Sequence, residues 1–134
     1  MPTTWTRRVD PAAKAVYVTV VIDGPTGRSG EARFVVDTGT PVTILNTKLA
    51  PLYDLGEDRS DGASRLWGPT GPDDGYRVTT GSLQVMGRTL MTRQIRCHHI
   101  WAGAGVDGLI GLDIIRLGRL TVDLPWGTME FKWN

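Results

Sequence analysis

Alternation of apolar and polar residues predicts that strands make up most of this chain. Residues 15–22 are β-branched and aromatic and stop at Asp23-Gly24-Pro25, which is typical of a strand followed by a turn. The same criteria predict further strands at residues 31–36, 42–45, 76–85, 88–95, 99–101, 120–124 and 129–133. Met86-Gly87 and Pro125-Trp126-Gly127 are the predicted turns of two hairpins.

Helical content is predicted to be small. Residues 112–117 form the one convincing helix, with Gly118 as its C-terminal stop, and residues 47–53 form a helical turn that Pro51 limits. Residues 54–75 contain five glycines and two prolines and are predicted to be loops around one hairpin tip. Because no shift in composition marks a boundary, we expect one all-β domain over residues 1–134.

Composition and charge narrow the classes of function. The 134 residues include 15 Lys and Arg against 14 Asp and Glu, without any block of five like charges, which argues against nucleic acid as a partner. No apolar run is long enough to span a bilayer, and the start lacks the apolar core of a secretory signal, so no membrane insertion is expected. The single cysteine, Cys97, fits a reducing compartment, and we expect a cytoplasmic location.

The most informative segment is Phe34-Val35-Val36-Asp37-Thr38-Gly39-Thr40, in which an apolar strand ends at a carboxylate. An ionisable group at the end of a buried strand is costly unless it is hydrogen-bonded or functional. Gly39 permits a tight turn that points the carboxylate into a cleft. The alternative is an Asx-type turn, in which the aspartate caps its own backbone.

A second motif, Gly108-Leu109-Ile110-Gly111-Leu112-Asp113, precedes the predicted helix. Together with Val35-Val36-Asp37-Thr38-Gly39-Thr40 it resembles the retropepsin-like aspartic proteases, in particular their bacterial and cellular members. The resemblance covers residues 15–133. It implies a single-lobe retropepsin-like β-barrel with one short helix near the C-terminus.

The resemblance also implies roles for individual residues. Asp37 would be the catalytic carboxylate, and the residues that support its loop would be Thr38, Gly39 and Thr40. The second motif would pack beside the first through Leu109, Ile110 and Gly111. The Gly-rich stretch from Trp67 to Gly75 matches the flap that closes over bound peptide, and its proposed substrate-binding residues are Trp67, Gly68, Pro69, Thr70 and Gly71.

One departure from the retroviral pattern concerns an ion pair. Retroviral members commonly carry an acidic residue and an arginine where this chain has Pro41 and Leu112. Both partners are replaced together, and an apolar contact can replace a buried ion pair at little net cost. The fold therefore remains credible, whereas retroviral substrate contacts do not transfer.

The chain contains one Asp-Thr-Gly and no Asp-Ser-Gly, although aspartic protease chemistry needs two carboxylates. The resemblance therefore implies a symmetric homodimer with one Asp37 from each subunit. The expected function is an aspartic endopeptidase that acts on peptide or protein substrates without a metal or organic cofactor. The alternative is a catalytically idle domain of the same fold, serving as a peptide-binding or dimerisation module, which would not need Asp37, Thr38 and Gly39 intact.

Two other patterns suggest different chemistry. Residues 103–108 fit the dinucleotide-binding pattern G-x-G-x-x-G, but the predicted helix is too short and too little chain follows. Cys97-His98-His99 suggests a metal or cysteine-nucleophile site, but neighbours in a strand point to opposite faces. We therefore expect a packed cysteine beside surface histidines and no metal site. Of the five tryptophans, Trp67 is expected near the cleft and most others in the core or dimer interface.

Overall fold

The computed structural model describes residues 3–101 and 105–134. Within those residues it contains one short α-helix, α1 (Leu112–Ile115), and two 3-10 turns, Ala50–Tyr53 and Glu57–Arg59. None of these helices is long and apolar enough to cross a membrane. The strands in the same part of the chain are β1 (Thr4–Arg8), β2 (Tyr17–Asp23), β3 (Ser29–Val36), β4 (Ile44–Asn46), β5 (Gly62–Gly68), β6 (Gly71–Thr79), β7 (Ser82–Val85), β8 (Arg88–Met91), β9 (Gln94–His98), β10 (Gly108–Ile110), β11 (Gly118–Asp123) and β12 (Thr128–Trp133).

The strands form two sheets. One has the order β5-β6-β9-β4-β10-β3-β2-β7-β8, and the other has the order β1-β12-β11. Strand β10 lies at the centre of the larger sheet, parallel to β3 on one side and antiparallel to β4 on the other. The chain therefore returns from a distant position to separate two strands that follow each other in sequence.

The core lies between the two sheets. In β2 the alternate residues Val18, Val20 and Ile22 are fully buried, and β12 buries every second residue in the same way. The buried residues of both sheets form one hydrophobic cluster. Trp133, at the end of β12, crosses this core and donates a 2.8 Å hydrogen bond from its indole N–H to the carbonyl of Met86. The all-β prediction with one short helix is confirmed.

Both predicted turns join the strands of hairpins. Met86-Gly87 connects β7 to β8, and residues 124–127 connect β11 to β12. The prediction of loops around one hairpin tip at residues 54–75 is correct for the tip and for residues 54–61, which contain no strand. It is wrong for the residues in between, since β5 and β6 pair without interruption from Gly62↔Arg77 to Gly68↔Gly71. Glycine and proline are rare in strand interiors, so composition concealed this hairpin. The two partners satisfy each other's backbone groups, which is what makes these residues strands.

Other predicted boundaries are also wrong. Residues 76–79 belong to β6 rather than to the β7–β8 hairpin, residues 99–101 are not a strand, and β1 was not predicted. The helix ends at Ile115, and Gly118 begins β11 instead of stopping a helix. A Cβ at Gly118 would lie 2.3 Å from the carbonyl oxygen of Lys132, so close strand packing, not a left-handed conformation, requires this glycine.

Cys97 faces the core from β9 and is fully buried. Burial raises the pKa of its thiol to about 12, since the thiolate is poorly solvated there, and a weaker opposing effect comes from hydrogen bonding with Tyr76. Tyr76 itself has a raised pKa, mainly through burial. Only the thiolate reacts with alkylating reagents, so both the burial and the raised pKa of Cys97 protect it from alkylation.

We predict that Cys97 is not alkylated in the folded protein at pH 8, because its thiol is both inaccessible and neutral. The measurement is iodoacetamide labelling followed by intact mass, with urea-unfolded protein as the reactive control. Rapid labelling of the native protein would contradict this burial. The raised pKa of the Cys97 thiol also makes the stability of the fold depend on pH. Its contribution is fully present below the pKa of the thiol in the unfolded chain, and it is lost as the pH rises from there to about 12.

Candidate active site

Asp37 directly follows β3 and begins the loop between β3 and β4, here called the motif loop (residues 37–43). Its backbone N–H donates a 2.9 Å hydrogen bond to the carbonyl of Ile110, so the start of the loop is attached to β10. One carboxylate oxygen, Oδ1, accepts a 2.8 Å hydrogen bond from the N–H of Gly39. The carboxyl group receives no other hydrogen bond from the described residues, and Asp37 is only partly buried. The second oxygen thus remains available.

The three residues after Asp37 play different structural parts. Thr38 is exposed, and its hydroxyl makes no hydrogen bond within the described part of the chain. Gly39 lies in the expected tight turn without taking a positive φ, and a Cβ there would lie 3.0 Å from Oδ1 of Asp37. Thr40 is buried, and its hydroxyl donates a 2.8 Å hydrogen bond to the carbonyl of Val42, which closes the loop.

The second motif passes directly behind the motif loop. Ile110 is fully buried between β3 and β4, and Leu109 is partly buried and lines the cleft described below. At Gly111 a Cβ would lie 2.4 Å from the carbonyl oxygen of Val42. The amide of Leu112 donates a 2.9 Å hydrogen bond to the carbonyl of Thr40. The structure therefore brings both motifs together, as their pairing in sequence predicted.

Thr43 and Asp113 form a partly buried link that the sequence analysis missed. Thr43 is fully buried; its hydroxyl donates to Oδ1 of Asp113 at 2.8 Å and accepts from the amide of Gly111 at 3.2 Å. The other carboxylate oxygen accepts from the amide of Thr43 at 3.1 Å. An acidic residue in the first turn of the short helix was the available signal. The link fixes α1 to the end of the motif loop.

The positions of the absent ion pair also lie at this junction. Pro41 is exposed, and its carbonyl accepts a 3.2 Å hydrogen bond from the amide of Asp113. Leu112 is half-buried, and its amide donates the hydrogen bond to the carbonyl of Thr40. Backbone hydrogen bonds thus connect these two segments without a charged pair.

A cleft of about 650 Å³ separates the motif loop from the β5–β6 hairpin. Its lining from the motif loop and the neighbouring strands is Asp37, Gly39, Thr40, Pro41, Ile44 and Leu109. Its lining from the hairpin is Arg65, Leu66, Trp67, Gly68, Pro69, Thr70, Gly71, Pro72 and Asp73. All five predicted flap residues therefore face the same space as the predicted catalytic carboxylate.

The hairpin carries its own ion pair. Nε of Arg65 on β5 lies 2.7 Å from Oδ1 of Asp74 on β6, and both side chains are exposed. The hydrogen bond from Arg65 lowers the pKa of Asp74. At the tip, Trp67 is 75% exposed and Gly71 takes a φ of +113°, a conformation that favours glycine.

The Cys97-His98-His99 segment differs from the prediction of surface histidines, because His98 is buried and only His99 is exposed. The β5–β6 hairpin covers the face of β9 that carries His98. Among residues 3–101 and 105–134, no group of three or more potential metal ligands is present. Two residues of the dinucleotide-like pattern, 103 and 104, lie outside the described residues, and Gly108 belongs to β10.

Two of the five tryptophans lie outside both the core and the cleft. Trp133 is in the core and Trp5 packs against it, whereas Trp101 and Trp126 are largely exposed. Trp67 lines the cleft as expected.

Comparison with known proteins agrees with this architecture. The fold is retropepsin-like: it matches a retropepsin-like aspartic protease from Rickettsia conorii with a TM-score of 0.69 and 10% identity, over 99% of this chain and 93% of that one. It also matches the retroviral protease-like domain of Ddi1 from Leishmania major with a TM-score of 0.56 and 18% identity, over 89% and 91% of the two chains. A comparison with curated protein sequences gives no significant match.

The family is identified by comparing the sequence with family models. The aspartyl protease family model matches residues 18–114, which include both motifs and the hairpin between them. The chain belongs to the aspartyl protease family, and the resemblance found in its sequence is confirmed.

We predict that Thr43→Val lowers the free energy of unfolding by about 1–3 kcal/mol, because the amide of Gly111 loses its acceptor in a buried site. Urea denaturation followed by far-UV circular dichroism measures the change. The matched control is Thr121→Val on the exposed face of β11, for which we expect less than about 0.5 kcal/mol. Equal effects of the two substitutions would show that the Thr43 link contributes nothing.

Proposed function

We propose that this protein is an aspartic endopeptidase in which Asp37 is the catalytic carboxylate. The observation that carries the proposal is the position of Asp37: its carboxyl group lines a cleft closed on the other side by the β5–β6 hairpin. One of its oxygens is held by the amide of Gly39, while the other is free of protein donors among the described residues. A carboxylate that is oriented but not saturated suits an acid–base role.

The proposed active form is a homodimer. Each chain contributes one Asp-Thr-Gly, so two chains are needed to supply two carboxylates. The exposed hydroxyl of Thr38, which lacks a partner within the described part of its own chain, supports a second subunit at this point. In the dimer it would bond to the opposing motif loop and hold the two loops together.

The proposed reaction is hydrolysis of a peptide bond. Two carboxyl groups in contact cannot easily both ionise, so they hold one proton between them. The ionised carboxylate takes a proton from a bound water, whose oxygen attacks the peptide carbonyl carbon. The other carboxyl group gives its proton to the carbonyl oxygen. In the tetrahedral intermediate the C–N bond then breaks, and the departing amine takes the proton that the first carboxylate removed from water. A hydroxyl group of the intermediate returns a proton to the other carboxylate, which restores the pair.

The proposed substrate is an extended peptide segment. The cleft offers apolar contacts from Ile44, Leu66, Trp67 and Leu109, which suits apolar side chains on either side of the cut bond. Strand-like backbone hydrogen bonds would hold the peptide between the motif loop and the hairpin. The proposed location is the cytoplasm, where a single unpaired thiol such as that of Cys97 stays reduced.

We predict that Asp37→Asn abolishes cleavage while the protein stays folded, because an amide cannot take a proton from water. The measurement is digestion of a diverse peptide library from about pH 4 to 7, read by mass spectrometry. Asp58→Asn, the same change on an exposed turn outside the cleft, is the control and should cleave like the wild type. Cleavage retained by purified Asp37→Asn would overturn the assignment.

The proposed dimer is tested by mixing the wild-type protein with the Asp37→Asn variant. We predict that a tenfold excess of Asp37→Asn over wild type lowers activity to about a tenth or less, since most wild-type chains then sit in mixed dimers with one carboxylate. An equal excess of Asp58→Asn should instead raise activity. Activity unaffected by added Asp37→Asn would contradict a shared active site.

The alternative is a catalytically idle module of the same fold that binds peptides or dimerises. The same experiments identify it, because a folded dimer whose wild type cleaves no peptide would fit that function and not a general endopeptidase. The intact Asp37-Thr38-Gly39 and the cleft beside it favour the enzyme.

A further inference from the structure

The β5–β6 hairpin is attached to the rest of its sheet over only part of its length. Pairing between β6 and β9 runs from Thr79↔Gln94 to Tyr76↔Cys97 and ends there. Residues 65–74, here called the arm, pair only with each other and extend over the cleft. At Gly75, the residue next to the arm, a Cβ would lie 2.0 Å from the carbonyl oxygen of Cys97. The hairpin therefore crosses β9 in close contact.

Beyond the last paired residues, a chain of side-chain hydrogen bonds continues the attachment. Nδ1 of His98 lies 2.6 Å from Oδ2 of Asp73 on the arm, and its Nε2 lies 2.8 Å from Oγ of Ser64 on β5. Arg96 on β9 donates a 3.0 Å hydrogen bond to the same Ser64 oxygen. His98 is 2% exposed and Ser64 is 3% exposed, so the two central members of the chain are shielded from water.

When the His98 ring is neutral, the chemistry of these groups sets the direction of each bond. An ionised carboxylate only accepts, so Nδ1 of His98 carries a proton toward Asp73. In the neutral ring, Nε2 then accepts the hydroxyl proton of Ser64, whose oxygen accepts from Arg96. Both ring nitrogens and the hydroxyl are thus satisfied, which buried polar groups require.

The order Ser64–His98–Asp73 is also that of a hydrolase triad, but access excludes a nucleophilic role. Ser64 is 3% exposed and its oxygen already accepts a hydrogen bond from Arg96, so a substrate carbonyl cannot approach it. The function left for this chain of bonds is positional. Its outer member, Asp73, lines the cleft that contains Asp37.

We propose that His98 and Asp73 form a clasp that holds the arm over the Asp37 cleft, and that His98 is a positioning residue for substrate binding. The effect on substrate rests on the proposed endopeptidase function, whereas the effect on the arm does not. Within the arm, the Arg65–Asp74 ion pair joins the two strands of the hairpin to each other, not to β9. Removing Asp74 should therefore leave the attachment intact.

The first test is hydrogen–deuterium exchange in Asp73→Ala and Asp74→Ala, which remove the same side-chain group from adjacent residues. We predict that amides of residues 65–74 exchange about tenfold faster in Asp73→Ala and less than about twofold faster in Asp74→Ala. Amides of residues 76–79 and 94–97 should stay protected in both. Equal exchange of the arm in the two variants would overturn the clasp.

A second measurement uses the wild-type protein and so does not depend on a variant that folds. Nitrogen-15 spectra at pH 8 distinguish protonated from bare ring nitrogens, and the chain has only two histidines. We predict a protonated Nδ1 for His98, with exposed His99 as the internal reference. A bare Nδ1 on His98 would overturn the clasp.

The effect on substrate is measured with a peptide that the wild type cleaves. We predict that Asp73→Ala raises KM about tenfold with kcat changed less than about twofold, and that Asp74→Ala changes neither by more than about twofold. An unchanged KM in Asp73→Ala would overturn the positioning role although the protease stands. If the wild type cleaves nothing, the proposed function fails, and exchange and nitrogen spectra still decide whether the clasp exists.

Discussion

Strand β10 passes between β3 and β4, and the position of Asp37 depends on this insertion. The amide of Asp37 binds the carbonyl of Ile110, so the motif loop leaves the sheet at a point that β10 fixes. Space for the insertion is narrow: a Cβ at Gly108 would lie 2.4 Å from the ring of Phe34, and one at Gly111 would lie 2.4 Å from the carbonyl oxygen of Val42. Interiors packed this closely have little room to relax, so the two glycines are needed for contact rather than for flexibility.

The insertion also explains why the motif loop can carry a partly exposed carboxylate without being loose. Backbone carbonyl groups of Thr40 and Pro41 accept hydrogen bonds from the first residues of α1, and the Thr43–Asp113 link closes the same junction. The loop is therefore attached at both of its ends. A rigid support of this kind keeps the carboxyl group of Asp37 in place, and its second oxygen receives no hydrogen bond from the described residues.

The other side of the cleft is built differently. The arm is a two-stranded ribbon with an exposed tip, and such ribbons are only marginally stable when nothing packs beneath them. Its connection to the sheet consists of the β6–β9 pairing and the hydrogen bonds from Asp73 through His98. The cleft thus lies between a carboxylate on a supported loop and a hairpin with few connections to the sheet, which agrees with the proposed binding of an extended peptide.

Features that depend on neighbours in sequence were predictable. The alternation in β2 and β12, the turns at Met86-Gly87 and residues 124–127, and the placement of Asp37 at a strand end all follow from residues a few positions apart. The paired motifs identified the family because their residue types are specific, although residue types alone do not reveal how closely the two motifs pack. The length of the β5–β6 hairpin was missed because its glycines and prolines are stabilised by cross-strand pairing, which composition does not reveal.

Tertiary structure alone decided the rest. The Thr43–Asp113 link joins residues 70 positions apart, and the Asp73–His98 bond joins residues 25 positions apart. Burial of His98 depends on a hairpin folding over β9, so strand alternation could not distinguish it from exposed His99. The sequence determined which residues could form strands and which carboxylate ends one of them. Only the folded chain determined which side chains meet, since those contacts arise when distant strands share a sheet.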